Sequence, residues 1–203
     1  MSFEGGTNGL KSQTIIHEES IMTYEELLAA AKADPDGGDY HTLRMAYART
    51  DEYAPYVQDA ENIEKLRASL TNRDMESALD AVAQLLAQNY LDIEAHMAAD
   101  YAYTMLEQYD DSAYHRAFAR GLIQAILATG DGRGFDTAFI VLNVSEEYTV
   151  LRVMGFVPGN QRLIEHEGHW FDILSGRQRD TNESLDLYFN IDLPRGWLRD
   201  NIR

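Results

Sequence analysis

The sequence predicts an α+β protein, with an N-terminal tetratricopeptide-like helical array packed on a small C-terminal antiparallel β-module. Apolar residues recur at helical spacing through the first two-thirds of the chain, and strict apolar–polar alternation begins only later. A glycine-rich run at 130–134 separates the two patterns. We therefore divide the 203 residues into a flexible or extended lead-in (1–22), a helical tetratricopeptide-like region (23–129) and a β-rich module (130–203).

The helical region begins with a capping box, in which the Thr23 hydroxyl accepts from the third helical N–H and Glu26 reaches back to residue 23. A cluster of helix breakers at 34–38 ends this helix, and Asp39 can cap the next one. The apolar positions of the second and third helices are Tyr40, Leu43, Tyr47, Ile63, Leu66 and Leu70.

Residues 75–86 carry the most regular helical pattern, and Asp92 can cap the helix that follows. Alanines line one face of this following helix, so a neighbouring helix can approach it closely. A third helix is predicted from about residue 110 to 128. The two apolar stripes are Met75, Ala78, Leu79, Val82, Leu85 and Leu86, then Ala95, Ala98, Ala99, Ala102, Met105 and Leu106.

A short internal repeat links these helices. The step Ser77-Ala78 recurs as Ser112-Ala113, 35 residues later, close to the tetratricopeptide period of about 34. Such arrays need roughly three repeats to be stable, and only one and a half are recognisable here. We therefore expect the helices before residue 71 to supply the missing neighbours.

The β-module begins with a continuous apolar run. Residues 137–144 are apolar on both faces of an extended chain, which predicts a strand at the centre of the sheet. Ser145, followed by Glu146 and Glu147, predicts the start of a short helix that reaches Met154. Favourable interaction with the helix dipole explains this pair of acids without invoking chemistry.

The rest of the β-rich module is predicted to form antiparallel strands. Residues 161–174 predict a hairpin that turns at or near Gly168, paired into the same sheet. The alternation of apolar and polar residues over 185–191 is the clearest strand pattern in the chain. We expect residues 194–198 to fold back and bury Trp197.

The charge of the chain limits its partners. The formal net charge is −17, and residues 1–130 carry −13 of it. A negative field repels phosphate groups, which disfavours nucleic acids and anionic membranes as partners. The acidity is explained either by solubility or by a face that binds a basic protein, and the sequence leaves both open.

The absence of cysteine excludes disulfides, thiolate catalysis and cysteine-ligated metals. The sequence has no apolar run long enough to span a membrane and no apolar segment near its start typical of a secretory signal. These features favour a cytoplasmic protein.

Four stretches resemble a bacterial family known as a domain of unknown function, and the similarity extends from about residue 35 to 198, leaving the lead-in outside. The resemblance implies a shared fold of helices followed by a β-module. It implies no activity and assigns no functional residues. The stretches are residues 89–96, residues 130–132 leading to 137–139, residues 145–148 and residues 188–192.

His166, His169 and Asp172 form the one cluster with metal-ligand residue types. A zinc-protease helix spaces its histidines four apart, whereas these are three apart in a predicted hairpin. The glycine run at 130–134 follows a helix and precedes a strand, which is the reverse of a phosphate-binding loop. We therefore predict no metal site and no cofactor, and no catalytic residue is identified.

The best interpretation of function is a non-enzymatic protein-interaction module that holds a protein or peptide in a helical groove. Tyr101 and Tyr103 are the candidate partner-binding residues, because tyrosines anchor interfaces disproportionately. An acidic inhibitor or immunity-type protein that covers a basic partner site is one alternative. An enzyme centred on the β-module is the other.

Overall fold

The computed structural model of the protein describes residues 22–201, which form helices and a four-stranded sheet and confirm the α+β class. The prediction for the lead-in falls outside these residues, apart from Met22. The elements are α1 Tyr24–Ala33, α2 Tyr40–Tyr47, α3 Ala60–Asn72, α4 Met75–Gln88, α5 Ile93–Met105, α6 Tyr109–Leu127, β1 Phe139–Ile140, α7 Val144–Val153, β2 Phe156–His166, β3 His169–Gln178, β4 Ser184–Asn190 and α8 Asp192–Asn201.

Short polar side chains fix the starts of α1 to α5 and of α7. Thr23 and Glu26 form the predicted capping box at α1. Asp39 and Asp92 cap α2 and α5 as predicted, each accepting from the backbone N–H three residues on. A cap of this kind satisfies an N–H group that has no partner within the helix, so these starts are encoded locally.

The alanine stripe of α5 packs against α4. Ala95 and Ala99 have no exposed surface and lie in one apolar cluster with Val82, Leu85 and Leu86 of α4. The small side chains let the two helices approach closely, as predicted. Helix α4 also packs on α3, and α5 on α6, while the tetratricopeptide-like arrangement itself stays a prediction.

The sheet has the strand order β1-β4-β3-β2. Strands β2 and β3 form the predicted hairpin, and β3 pairs with β4 in antiparallel orientation. Glu167 and Gly168 make a two-residue turn with φ of 52° and 84°, the left-handed conformation of a tight hairpin turn. His166 and His169 close the hairpin as its last pair.

The predicted central strand at 137–144 is wrong. Only Phe139–Ile140 is a strand, it lies at the sheet edge, and it pairs with β4 in parallel orientation. Side chains bind the backbone beyond the edge: Arg44 donates to the carbonyl of Ile140 (3.0 Å) and Tyr53 to that of Leu142 (2.6 Å). The run is apolar on both faces because helices cover it, not because strands flank it.

Two local predictions near the ends of the module also need correction. Asn143, not Ser145, caps α7, and its side chain accepts from the N–H of Glu146 at 3.0 Å. The C-terminal segment is the helix α8, in which Pro194 occupies the first turn, where its missing N–H costs no helical bond. Trp197 is only partly buried, with its ring 6.0 Å from that of Tyr56.

The glycine run at 130–134 is tied to the sheet. The N–H of Tyr188 donates to the carbonyl of Gly132 (2.9 Å), and Gly132 has a φ of +68°. A Cβ on Gly132 would lie 2.4 Å from the ring of Phe139, so the glycine is needed for close approach. One apolar core then continues across the run, from Leu43 and Phe118 of the helices to Phe189 of β4.

Candidate functional site

A groove of about 570 Å³ lies in the helical region, and we call it the helical groove. Helix α1 and helix α4 contribute most of its lining, and the α2–α3 loop, the α4–α5 loop, α5 and α6 contribute the rest. Its surface combines apolar side chains of α4 with aromatic rings and with the charged side chains of Glu25, Lys32 and Glu52. The lining residues used below are Lys32, Ala83, Leu86, Tyr90, Tyr103 and His115.

Tyr90 organises one part of the helical groove. Its hydroxyl is hydrogen-bonded to that of Tyr114 at 2.8 Å, and its ring stands edge-on to that of Phe118. The ammonium of Lys32 lies over the Tyr90 ring, 3.6 Å from its centre. Partial burial lowers the pKa of Lys32. The groove therefore already holds one cation on an aromatic face.

A histidine pair connects the groove to the core of the helical region. His96 is fully buried, and its ring stacks on Phe118 at 4.5 Å between ring centres. Its Nε2 lies 2.9 Å from the carbonyl oxygen of Tyr90, and its Nδ1 lies 2.8 Å from Nδ1 of His115. Burial lowers the pKa of His96 to about 4, so the ring is neutral at pH 7.

These contacts determine which ring nitrogen carries the hydrogen in His96 and in His115. A carbonyl oxygen can only accept, so Nε2 of His96 carries the hydrogen and its Nδ1 is an acceptor. His115 must then donate from Nδ1. Burial lowers the pKa of His115, which favours the neutral ring with a lone pair on Nε2. His115 thus supplies the groove with a hydrogen-bond acceptor held by a buried neighbour.

The structure separates the two tyrosines proposed from sequence. Tyr103 lines the helical groove and stacks on His115, with 5.6 Å between ring centres. Tyr101 is 48% exposed and is not part of the groove. It shares the outer face of α5 with Met97 and Met105, four residues to either side.

Neither His96 nor His115 was among the site residues predicted from the sequence. The available signal was the position of His96, which interrupts the alanine-rich stretch of α5 beside Ala95. A histidine inside a helix with many small buried residues needs a hydrogen-bonding partner. That partner lies on α6, nineteen residues away, and helical spacing within one segment does not predict such a contact.

A second polar cluster lies between α2, α7 and the sheet. Arg44, which is fully buried, forms a two-point ion pair with Glu146, with Nη2–Oε2 at 2.7 Å and Nε–Oε1 at 3.3 Å. The Glu146 carboxylate also accepts from the N–H of Leu142. Glu146 is therefore a buried partner of an arginine, in addition to lying in the first turn of a helix.

Glu147, which is only 1% exposed, faces Asp172 of β3. One oxygen of each carboxyl group, Oε2 of Glu147 and Oδ1 of Asp172, is buried and accepts no hydrogen bond from the described residues, while Gln161 donates to the other oxygen of Asp172. A proton held between the two carboxyl groups would satisfy both oxygens. Burial, together with the negative charges of Asp172 and Glu146, raises the pKa of Glu147 to about 8. The pair therefore holds one proton and one negative charge at pH 7.

The structure does not bring the three metal-ligand residue types together. The ring of His166 stacks on Phe135 at 4.0 Å, and Nδ1 of His169 lies 2.6 Å from the carboxylate of Asp192. Asp172 is buried against Glu147. Within residues 22–201, no three histidine or acidic side chains are placed to hold a metal ion.

A wider depression of about 860 Å³ lies over one end of the sheet. Its lining includes Val157, Asn160, Arg177 and Arg179. It is larger than the helical groove, but it contains no aromatic side chain. We therefore take the helical groove as the candidate site.

The chain belongs to a family described as a domain of unknown function, DUF4919, whose model matches residues 11–197. The resemblance drawn from sequence is confirmed, although the match starts within the lead-in and not near residue 35. No curated protein and no solved structure matches the chain. In the part of the chain from 22 to 201, no helix combines the length and the apolar character needed to cross a bilayer.

Proposed function

We propose that the protein is a cytoplasmic, non-enzymatic interaction module that binds a peptide segment of a partner protein in the helical groove. The observation that supports this proposal most directly is the groove itself. Its lining places Tyr90 and Tyr103 beside an apolar surface of α4 and beside the hydrogen-bond acceptor Nε2 of His115. Such a surface suits a short segment with an apolar side chain and a polar one next to it.

The chemistry of the groove supports binding. Side chains such as Leu86 offer apolar area that a ligand would cover, and tyrosines contribute disproportionately to interface energy. The charge of −13 on residues 1–130 would steer a basic partner toward this region. An inhibitor that covers a basic site would be attracted by the same negative charge. Its affinity for the partner would then fall steeply as the salt concentration rises.

Filling the groove tests the proposal. Ala83 lines the groove on α4 and is exposed, so Ala83→Trp would occupy it without disturbing the core. Ala68→Trp on α3 is the matched control, because Ala68 is exposed and does not line the groove. Peptides selected from a random displayed library on the wild type would be measured by fluorescence anisotropy against both variants.

We expect the selected peptides to bind the wild type and Ala68→Trp equally and to bind Ala83→Trp at least about tenfold more weakly, a change of about 1.4 kcal/mol. Circular dichroism and thermal melts would verify that both variants fold. Selected peptides that bind Ala83→Trp as tightly as the wild type would place binding elsewhere and refute the groove. Failure to select any peptide would count against a peptide-binding function.

An enzyme centred on the β-module is the second candidate, because the raised pKa of Glu147 is typical of a general acid. Against it, Glu147 is buried and lines neither the helical groove nor the depression over the sheet. Hydrolysis of 4-nitrophenyl esters or glycosides, lost in Glu147→Gln but kept in Glu165→Gln, would favour the enzyme.

A further inference from the structure

Building on the peptide-binding function proposed above, we infer that the helical groove binds a cationic side chain, arginine or lysine, at a subsite formed by its lining residues Tyr103 and His115 together with Asp111, which lies outside the lining. The Tyr103 subsite, as we call these three residues, combines an aromatic face, a hydrogen-bond acceptor and a carboxylate. Arginine and lysine carry only donors, so such a side chain finds a complementary group on each of the three.

The acceptor of the subsite is set by the histidine pair. Because Nδ1 of His115 donates to His96, the neutral ring keeps its lone pair on Nε2. Within residues 22–201, no side chain or backbone group is hydrogen-bonded to that nitrogen. A neutral His115 in this tautomer cannot donate from Nε2, so it selects ligand groups that carry a hydrogen.

The carboxylate of the subsite belongs to Asp111, on the exposed first turn of α6. Asp111 precedes His115 by four residues on α6, so the two side chains lie on the same face of the helix. Burial raises the pKa of Tyr103 and lowers that of His115, and the negative charge of Asp111 adds to the first shift and opposes the second. In the described part of the chain, Asp111 forms neither a side-chain hydrogen bond nor an ion pair. Asp100, the other acid near His115, is already bound by Ser112 and Arg116.

The aromatic face of the subsite is Tyr103. Lys32 shows that the groove accommodates a cation on a tyrosine ring, since it lies on Tyr90 at 3.6 Å. Because Lys32 takes that face, Tyr103 is the half-exposed ring that remains for a cation from the ligand. Tyr24, the third tyrosine of the groove, is itself buried in the core.

The test uses two probes that differ in one charge. The first is a fluorescein-labelled peptide of sequence Ala-Leu-Arg-Leu-Ala with blocked ends, and the second replaces its arginine with citrulline, which is neutral and of nearly the same shape. Fluorescence anisotropy would be measured with the full chain as the wild type, Asp111→Asn and Asp110→Asn. Asp110 is the matched control, because it is the adjacent exposed acid on α6 and its replacement changes the net charge equally.

We expect the arginine peptide to bind the wild type at least about tenfold more tightly than the citrulline peptide, the size of one charge-assisted hydrogen bond. Asp111→Asn should reduce this ratio to within about threefold, and Asp110→Asn should keep it. Adding Tyr103→Leu and Tyr101→Leu gives a second pair, in which only the Tyr103 change should weaken binding of the arginine peptide.

Three results would overturn the inference. They are equal binding of the two peptides, equal effects of Asp110→Asn and Asp111→Asn, and no binding of either peptide. The first two leave the groove function intact, since peptides would still bind there without a charge-specific subsite. The groove function is judged separately by whether library-selected peptides lose affinity for Ala83→Trp.

Discussion

Replacing Glu147 with glutamine should make the protein more stable than the wild type at alkaline pH. The Glu147 side chain is 1% exposed and lies beside Asp172, and the charge of Glu146 also acts on it. Deprotonation places a second negative charge beside Asp172 in a region from which water is excluded. The amide of glutamine can donate to Asp172 as the protonated acid does, and it cannot ionise.

The magnitude follows from the pKa of Glu147, which burial and the neighbouring carboxylates raise from 4.5 to about 8. The folded protein therefore holds a proton that the unfolded chain releases above pH 4.5, so stability falls as the pH rises between these two values. At 1.36 kcal/mol for each pKa unit, the wild type should lose roughly 4 kcal/mol from this group between pH 5 and pH 9. Single domains are stable by about 5–15 kcal/mol, so this loss is large.

Urea denaturation followed by circular dichroism between pH 5 and pH 9 would measure the effect. The difference in unfolding free energy between the wild type and Glu147→Gln reports the titration of the Glu147–Asp172 pair, because the titrating groups outside the pair are common to both proteins. Glu165→Gln, on the exposed surface of β2, is the control and should parallel the wild type. If the unfolding free energy of Glu147→Gln changes with pH as that of the wild type does, the Glu147 carboxyl is ionised in the folded protein and our reasoning fails.

Three further predictions concern buried groups. Arg44→Met should cost roughly 3–5 kcal/mol in urea melts, because it leaves Glu146 charged and buried without its partner, and adding Glu146→Gln should recover part of the loss. An unfolding free energy of Arg44→Met equal to that of the wild type would contradict a stabilising role of the ion pair. Ala99→Leu should cost roughly 1–3 kcal/mol by overpacking the contact of α4 with α5, whereas Ala113→Leu on the exposed surface of α6 should change stability by less than about 0.5 kcal/mol. Equal effects of these two changes would refute the close helix contact. The pKa of His96 is lowered from 6.5 to about 4, so the wild type should lose roughly 3 kcal/mol as the pH falls between these values. His96→Gln should lack this loss, and a wild-type unfolding free energy that is flat over this range would show that His96 is not held neutral.

The candidate site could be predicted from the sequence only in part. Tyr103 was singled out as an aromatic of α5, and it lines the groove. Tyr101 was singled out on the same grounds but lies outside the groove, because residues two apart on a helix point in different directions. His115 was missed, since its role depends on a hydrogen bond to a helix that is separate along the chain.

Local chemistry was enough to determine much of the fold. Thr23, Asp39 and Asp92 cap helices through contacts within three residues, and Gly168 turns a hairpin whose register follows from a two-residue turn. The buried alanine stripe of α5 follows from helical spacing alone. In each case the interacting groups are close along the chain, so the pattern contains both partners.

Only the tertiary structure decided where strand β1 lies, what Glu146 and Glu147 do, and which side chains form the groove. The apolar run at 137–144 fits either a central strand or an edge covered by helices, and Arg44, more than ninety residues earlier, makes it an edge. Glu147 gains its proton from burial beside Asp172 on another element. These outcomes depend on the solvation and charge that distant residues impose after the chain has packed, and the spacing of residues along the sequence does not contain them.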